Sequence, residues 1–151
     1  MEGQQISVNR VIAAPASTLF AIVSDCNRHA EIDGSGTVIK TKSGTPDQLK
    51  LGSKFGMSMK AGIPYSMMNT VIEYEPDKRI AWQTTLGGPL GRLIGGRIWR
   101  YEFAESGGTT TVTETWDISK DKQKFMMGPA SKGAKESMTK TLERLAQLTE
   151  G

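Results

Sequence analysis

RIWRYEFAESGGTTTVTETWDI, residues 97–118, reads as two strands joined by a tight turn. Over Arg97 to Ala104 the bulky side chains fall on alternate positions, Trp99, Tyr101 and Phe103. That is the period of two expected of a half-buried strand. Gly107-Gly108 supplies the turn, since glycine reaches positive φ at no steric cost. Thr109 to Ile118 then continues as a run dense in threonine. Val112, Glu114, Trp116 and Ile118 share one side of it, and Thr111, Thr113, Thr115 and Asp117 the other. If the apolar side faces inward, Glu114 is carried inside with it. An interior carboxylate needs a partner or a task, and the candidate partners are Asn69, Arg100 and Tyr101. Parity groups Asn69 with Val71 and Glu73, and leaves open whether that side faces in or out.

Reading backwards from this hairpin, Leu86 to Gly96 is rich in glycine and is expected to be a loop. It lacks the Gly-Lys-Ser/Thr ending of a phosphate loop and precedes a strand, so a mobile loop beside a cavity entrance fits better, with Leu90, Leu93 and Ile94 as apolar door residues. Arg79 to Thr85, Tyr65 to Glu75, Ser53 to Lys60 and Thr37 to Lys42 read as further strands. Glu75-Pro76-Asp77-Lys78 turns between two of them. The short connections imply an antiparallel meander. Gln5 to Ala13 is a first strand, rich in β-branched residues. Pro15 then opens a short helix carrying Leu19, Phe20 and Val23. Asp25 is expected to cap a second short helix running through His29 and Ile32, ending in the turn Asp33 to Gly36.

Reading forwards, the period changes. Ala130, Ala134, Met138 and Leu142 step by four, and Thr141, Leu145 and Leu148 complete an apolar stripe. This is one long amphipathic helix. The fold class is therefore α+β: a curved antiparallel sheet of about seven strands gripping a long C-terminal helix, with two short helices after strand one. All of residues 1–151 are expected to form a single domain. A twisted sheet wrapped on one helix leaves space between them, so a cavity is expected.

The pattern resembles the START-like helix-grip superfamily, and within it the bacterial polyketide cyclase/dehydrase and lipid-transport branch. The likeness is carried by Ile12-Ala13-Ala14-Pro15-Ala16 with Leu19-Phe20 and Asp25, and by His29 to Gly36. It continues in Val71 to Pro76 with Arg79-Ile80-Ala81-Trp82, in Trp99 to Phe103, and in Gly107-Gly108-Thr109 leading to Val112 to Thr115. These span nearly the whole chain. Order and spacing point to the fold, and the resemblance implies ligand carriage, cyclase chemistry or a co-chaperone role without choosing among them.

Composition narrows the classes further. Hydrophobic residues are 37% and charged residues 23% of the chain, which argues against disorder. The net charge of +3 is too small to argue for nucleic acid. Many of the cations cluster late, at Lys120, Lys122, Lys124, Lys132, Lys135 and Lys140, and read as a solvated surface. No apolar run reaches the length of a membrane span, and the N-terminus lacks a signal-peptide core. With one cysteine, Cys26, no internal disulfide is possible, and a cytoplasmic location is expected. One histidine, His29, beside Cys26 makes neither a metal box nor a catalytic triad, so no metal and no cofactor are expected.

The candidate ligand-lining residues follow from the apolar faces. On the strands they are Met57, Met59, Asn69, Trp82, Trp99 and Tyr101. Phe103, Glu114 and Trp116 continue the set, and Met138 and Leu142 join from the helix. Methionine thioethers adapt to variable ligands. The leading expectation is binding or transport of a small hydrophobic molecule, lipid or polyketide-like, by a monomer without nucleic-acid partners. The alternative is an aromatase/cyclase or dehydratase using Glu114, Tyr101 or Asn69, and a second is a protein-binding module. No catalytic residue is assigned.

Overall fold

The computed structural model describes residues 5–25, 28, 32, 38–41, 49–61, 63–86, 95–121 and 130–150. In chain order the elements are β1 (Gln5–Ile12), α1 (Ala16–Val23), β2 (Val38–Thr41), β3 (Lys54–Ala61), β4 (Ile63–Glu75), β5 (Arg79–Leu86), β6 (Gly95–Ser106), β7 (Thr109–Asp117) and α2 (Ala130–Glu150). The strands join in one sheet, in the order β1-β7-β6-β5-β4-β3-β2, and every neighbouring pair is antiparallel. From β2 to β7 each strand pairs with the next. β1 then ends the row beside β7, so the first and last strands are neighbours. The expected second short helix and the turn after it fall almost wholly outside the described residues, although Ile32 is buried in the core. Cys26, His29 and residues 87–94 also lie outside.

α2 leans chiefly on β1, with lesser contact to β7 and α1. Its buried stripe is Met138, Thr141, Leu142, Leu145 and Ala146, the i, i+3, i+4, i+7, i+8 pattern of a core-facing helix. Leu148 was expected in that stripe and is instead 44% exposed, because Ala146 takes the inward position in the last turn. Glu150 fastens the helix end to β1 by accepting a hydrogen bond from the Ala13 amide at 2.8 Å. α1 closes one end of the sheet. Phe20 meets Tyr74 and Phe103 edge-on, with ring centres 5.6 and 5.7 Å apart. Pro15 at its N-cap offers no side-chain acceptor, and Glu105 of β6 supplies one, taking the Ala16 amide at 2.7 Å.

Two irregularities decide which side chains face α2. The first is in β4. Val71 pairs with Trp82, but Glu73 pairs with Ala81, so Ile72 is an extra residue in a β-bulge. Asn69 and Val71 face inward before it, and Tyr74 after it. Glu73 is therefore not grouped with Asn69 and Val71, contrary to strict alternation, and its place on the inner side goes to Tyr74. The second is at the start of β6. Gly95 and Gly96 were expected in a loop, but they belong to the strand, with φ of 99° and 113° and a register slip against β5. A Cβ on Gly96 would stand 2.5 Å from the Lys120 carbonyl oxygen. Glycine is required there because the turn after β7 lies directly across that backbone.

Candidate functional site

Directly opposed residues of an antiparallel pair share a face. Following the register across the sheet therefore gives rungs of side chains on the face turned toward α2. Tyr74, Ile80, Tyr101, Glu114 and Val8 form one rung. The next, further from α1, is Val71, Trp82, Trp99, Trp116 and Ile6. All three tryptophans of the chain stand in this single row. One rung further lie Asn69, Thr84 and Arg97. Aromatic surface is thus bounded on both sides by polar groups.

Glu114 is 3% exposed, in the middle of the apolar rungs and across from Tyr101. Its Oε1 atom is buried without a hydrogen bond, although the residue has other interactions. Asn69 is 2% exposed, and its Oδ1 accepts a hydrogen bond from the Thr84 hydroxyl at 2.6 Å. That bond fixes the amide orientation. Replacing Thr84 by valine keeps the shape and removes the donor, and is expected to cost about 1–3 kcal/mol of stability in denaturant melts. Trp82 and Tyr101 pack at 5.6 Å between ring centres. Trp99 is only partly buried and touches both groups of core residues.

The remaining expected residues distribute as follows. Phe103 is buried nearer α1, Met138 packs with Trp116 and Ile118, and Leu142 joins the larger core. Met57 and Met59 pair with Met67 and Tyr65 in the β3–β4 register, and their side chains lie outside the described residues. Arg100, considered as a partner for Glu114, is on the opposite face. As an even-numbered residue of β6 it points away from Trp99 and Tyr101. Sequence reasoning missed Thr84, Arg97 and Asp121. The first two stand two positions from Trp82 and Trp99, so strand parity carried the signal. Asp121 follows the turn after β7, where no periodicity applies.

On that outer face Arg100 makes a two-pronged bond to Glu73, at 2.9 and 2.7 Å, and lies 4.0 Å from Asp117. Arg79 adds contacts to Glu102 at 3.1 Å and Glu73 at 3.9 Å. The Arg100 hydrogen bond, with the charges of Arg100 and Arg79, holds the Glu73 carboxyl below its usual 4.5 despite the opposing effect of burial. A depressed folded value stabilises the protein fully above the ordinary carboxylate range, and the contribution disappears as pH falls through the folded value. Glu73→Gln is therefore expected to cost about 1 kcal/mol near neutrality, screened because the group is partly exposed, and to melt like the wild type in strong acid. An open groove of about 700 Å³ also lies toward this side, among Glu75, Lys78, Arg79, Glu102, Thr111 and Thr113. Its charges largely pair with one another. Among the described residues no three His, Cys, Asp or Glu side chains gather as a metal set, and no helix is long and apolar enough to cross a membrane.

The model of the family described as polyketide cyclase / dehydrase and lipid transport matches residues 3–150. Uncharacterized protein Rv0088 of Mycobacterium tuberculosis is 41% identical over 115 residues, which are 75% of this chain and 47% of the relative. The chain thus matches about half the length of that relative. Among solved structures, protein CV1439 of Chromobacterium violaceum superposes with a TM-score of 0.74 at 17% identity, covering 97% of this chain and 98% of that one. Protein Ms6760 of Mycobacterium smegmatis gives 0.72 at 14% identity, covering 96% and 90%. DynU16, described as a protein of the dynemicin biosynthetic locus, gives 0.66 at 16% identity and covers 95% of this chain but 46% of that one. At these identities the structural likeness speaks for the fold.

Proposed function

Because the chain belongs to the polyketide cyclase/dehydrase and lipid-transport family, we propose that it binds a small, mainly apolar molecule between the inner face of the sheet and α2. One observation supports this most. α2 rests on the β1 edge, while the broad aromatic surface of Trp82, Trp99 and Tyr101 lies on β5 and β6, bounded by buried polar residues. Ligand sites are typically apolar walls with a few fixed polar groups. A core meant only for stability has no use for a carboxylate at its centre. The single cysteine fits a carrier in a reducing compartment such as the cytoplasm.

Titration calorimetry with methyl 2-naphthoate tests the reading. Saturable one-to-one binding is expected, weakened about tenfold by Trp99→Ala. A titration without saturation, or an affinity indifferent to Trp99, would count against it.

A second reading is favoured by Glu114. A carboxyl 3% exposed and facing Tyr101 could move a proton while the phenol polarises a carbonyl. A carrier returns its ligand unchanged, whereas a cyclase or dehydratase of this kind returns a product and loses turnover in Glu114→Gln.

A further inference from the structure

We propose that the rung Asn69–Thr84–Arg97 receives an acidic head group, so that the ligand is an amphipathic carboxylic acid. The proposal rests on the pocket reading above. Arg97 stands opposite Thr84 in the β5–β6 register, and so shares the inner face with Trp82 and Trp99. Its side chain is 28% exposed, yet its Nε is buried. Among the described residues the guanidinium has one ionic contact, Nε to Asp121 Oδ2 at 3.4 Å, and Nε makes no hydrogen bond.

A guanidinium presents five donors in a planar fork suited to two parallel bonds with a carboxylate. One off-axis ion pair leaves that fork available. The Asp121 side chain, 0% exposed, holds the cation in place while neutralising part of its charge. Beside it, Asn69 and Thr84 are already locked together by their own hydrogen bond, which supplies a polar, pre-ordered floor.

Charge also fixes direction. Glu114 lies two rungs toward α1, about 13 Å along the strands at 3.3 Å per residue. The carboxyl there offers an acid no cationic partner, whereas Arg97 does. The acid therefore sits at Arg97, and the apolar body lies across the tryptophan rung toward α1. A ligand with the reverse polarity would bring its acid against Glu114 and leave Arg97 facing hydrocarbon.

Calorimetry with two matched pairs tests this at a pH where the acids are ionised: 2-naphthoate against methyl 2-naphthoate, and octanoate against octanol. The wild type is expected to prefer the acid by about tenfold or more. Asp121→Asn removes a competing anion and is expected to strengthen the preference. Arg97→Gln alone would take a cation away from a buried carboxylate and destabilise the protein, so the decisive variant is Arg97→Gln with Asp121→Asn. With its melting curve retained, it should bind acid and neutral partner alike. Equal affinities in the wild type, or an acid preference that survives in the folded double variant, would overturn the proposal while neutral binding still supports the pocket. Failure of all four probes to bind would overturn both.

Discussion

Trp116→Ala is expected to lower folding stability by about 3–5 kcal/mol, the range for removing a large buried aromatic ring. Trp116 is the largest of the fully buried side chains, at 1% exposure. It stands near the C-terminal end of β7, packed with Ile118 and Met138 and backed by Ile6 and Trp99. The surrounding backbone is paired on both sides, by β1 and β6, so it cannot collapse into the space left behind. A domain of this size has about 5–15 kcal/mol in total, so the variant should sit close to its unfolding threshold. Trp99→Ala offers the informative contrast. Trp99 is in the same rung but only partly buried, so its loss should cost less stability and more ligand affinity. Denaturant melts of both variants check this. Equal stability losses would mean that the two rings do the same structural work, and that Trp99 is not held partly open for a ligand.

Arg100→Met is expected to cost about 2–4 kcal/mol, because a half-buried cation with several carboxylate partners leaves unpaired charge when it is removed. Arg100 is 19% exposed and Asp117 7%. Through them a polar chain runs across β1, β7, β6, β5 and β4. Gln5 donates to Asp117 at 3.0 Å, Asp117 faces Arg100, and Arg100 grips Glu73, which Arg79 also approaches. Asp117 further accepts the Ser119 amide at 2.9 Å and hydroxyl at 2.7 Å. Position decides the magnitude. The Arg79–Glu102 pair, 46% and 41% exposed, is in solvent, and Glu102→Gln is expected to change stability by less than about 1 kcal/mol. A double-mutant cycle on Arg100 and Glu73 measures the coupling directly. A coupling near zero would show that the forked contact carries no net stability.

Much of the fold was legible because its strands are regular. β7 has no bulge, so alternation alone puts Val112, Glu114, Trp116 and Ile118 on one side, and all four are buried. The step of four through Met138 and Leu142 likewise locates the helix that covers the sheet. Legibility failed where a single backbone irregularity reverses parity. Ile72 gives no local sign of being an extra residue, and the bulge is visible only from its partner strand, where Trp82 and Ala81 face Val71 and Glu73. Gly95 and Gly96 look like loop residues because glycine signals turns. They are strand residues that Lys120 crosses at Gly96 and that β5 crowds at Gly95, contacts that no local pattern encodes. The apolar part of the candidate site could be read from its aromatic stripe. Of its polar part, Asn69 and Glu114 were named from the sequence, whereas Thr84 and Arg97, two positions from Trp82 and Trp99, pass for ordinary surface residues until the register sets them beside Asn69.

If the inner face holds a small molecule, native followed by denaturing mass spectrometry on protein purified from its own host will show it. Excess mass is expected in the native spectrum, released on denaturation as an apolar molecule bearing a carboxylate. A native mass equal to that of the bare chain, in protein that also fails to take up any apolar probe, would contradict the pocket reading.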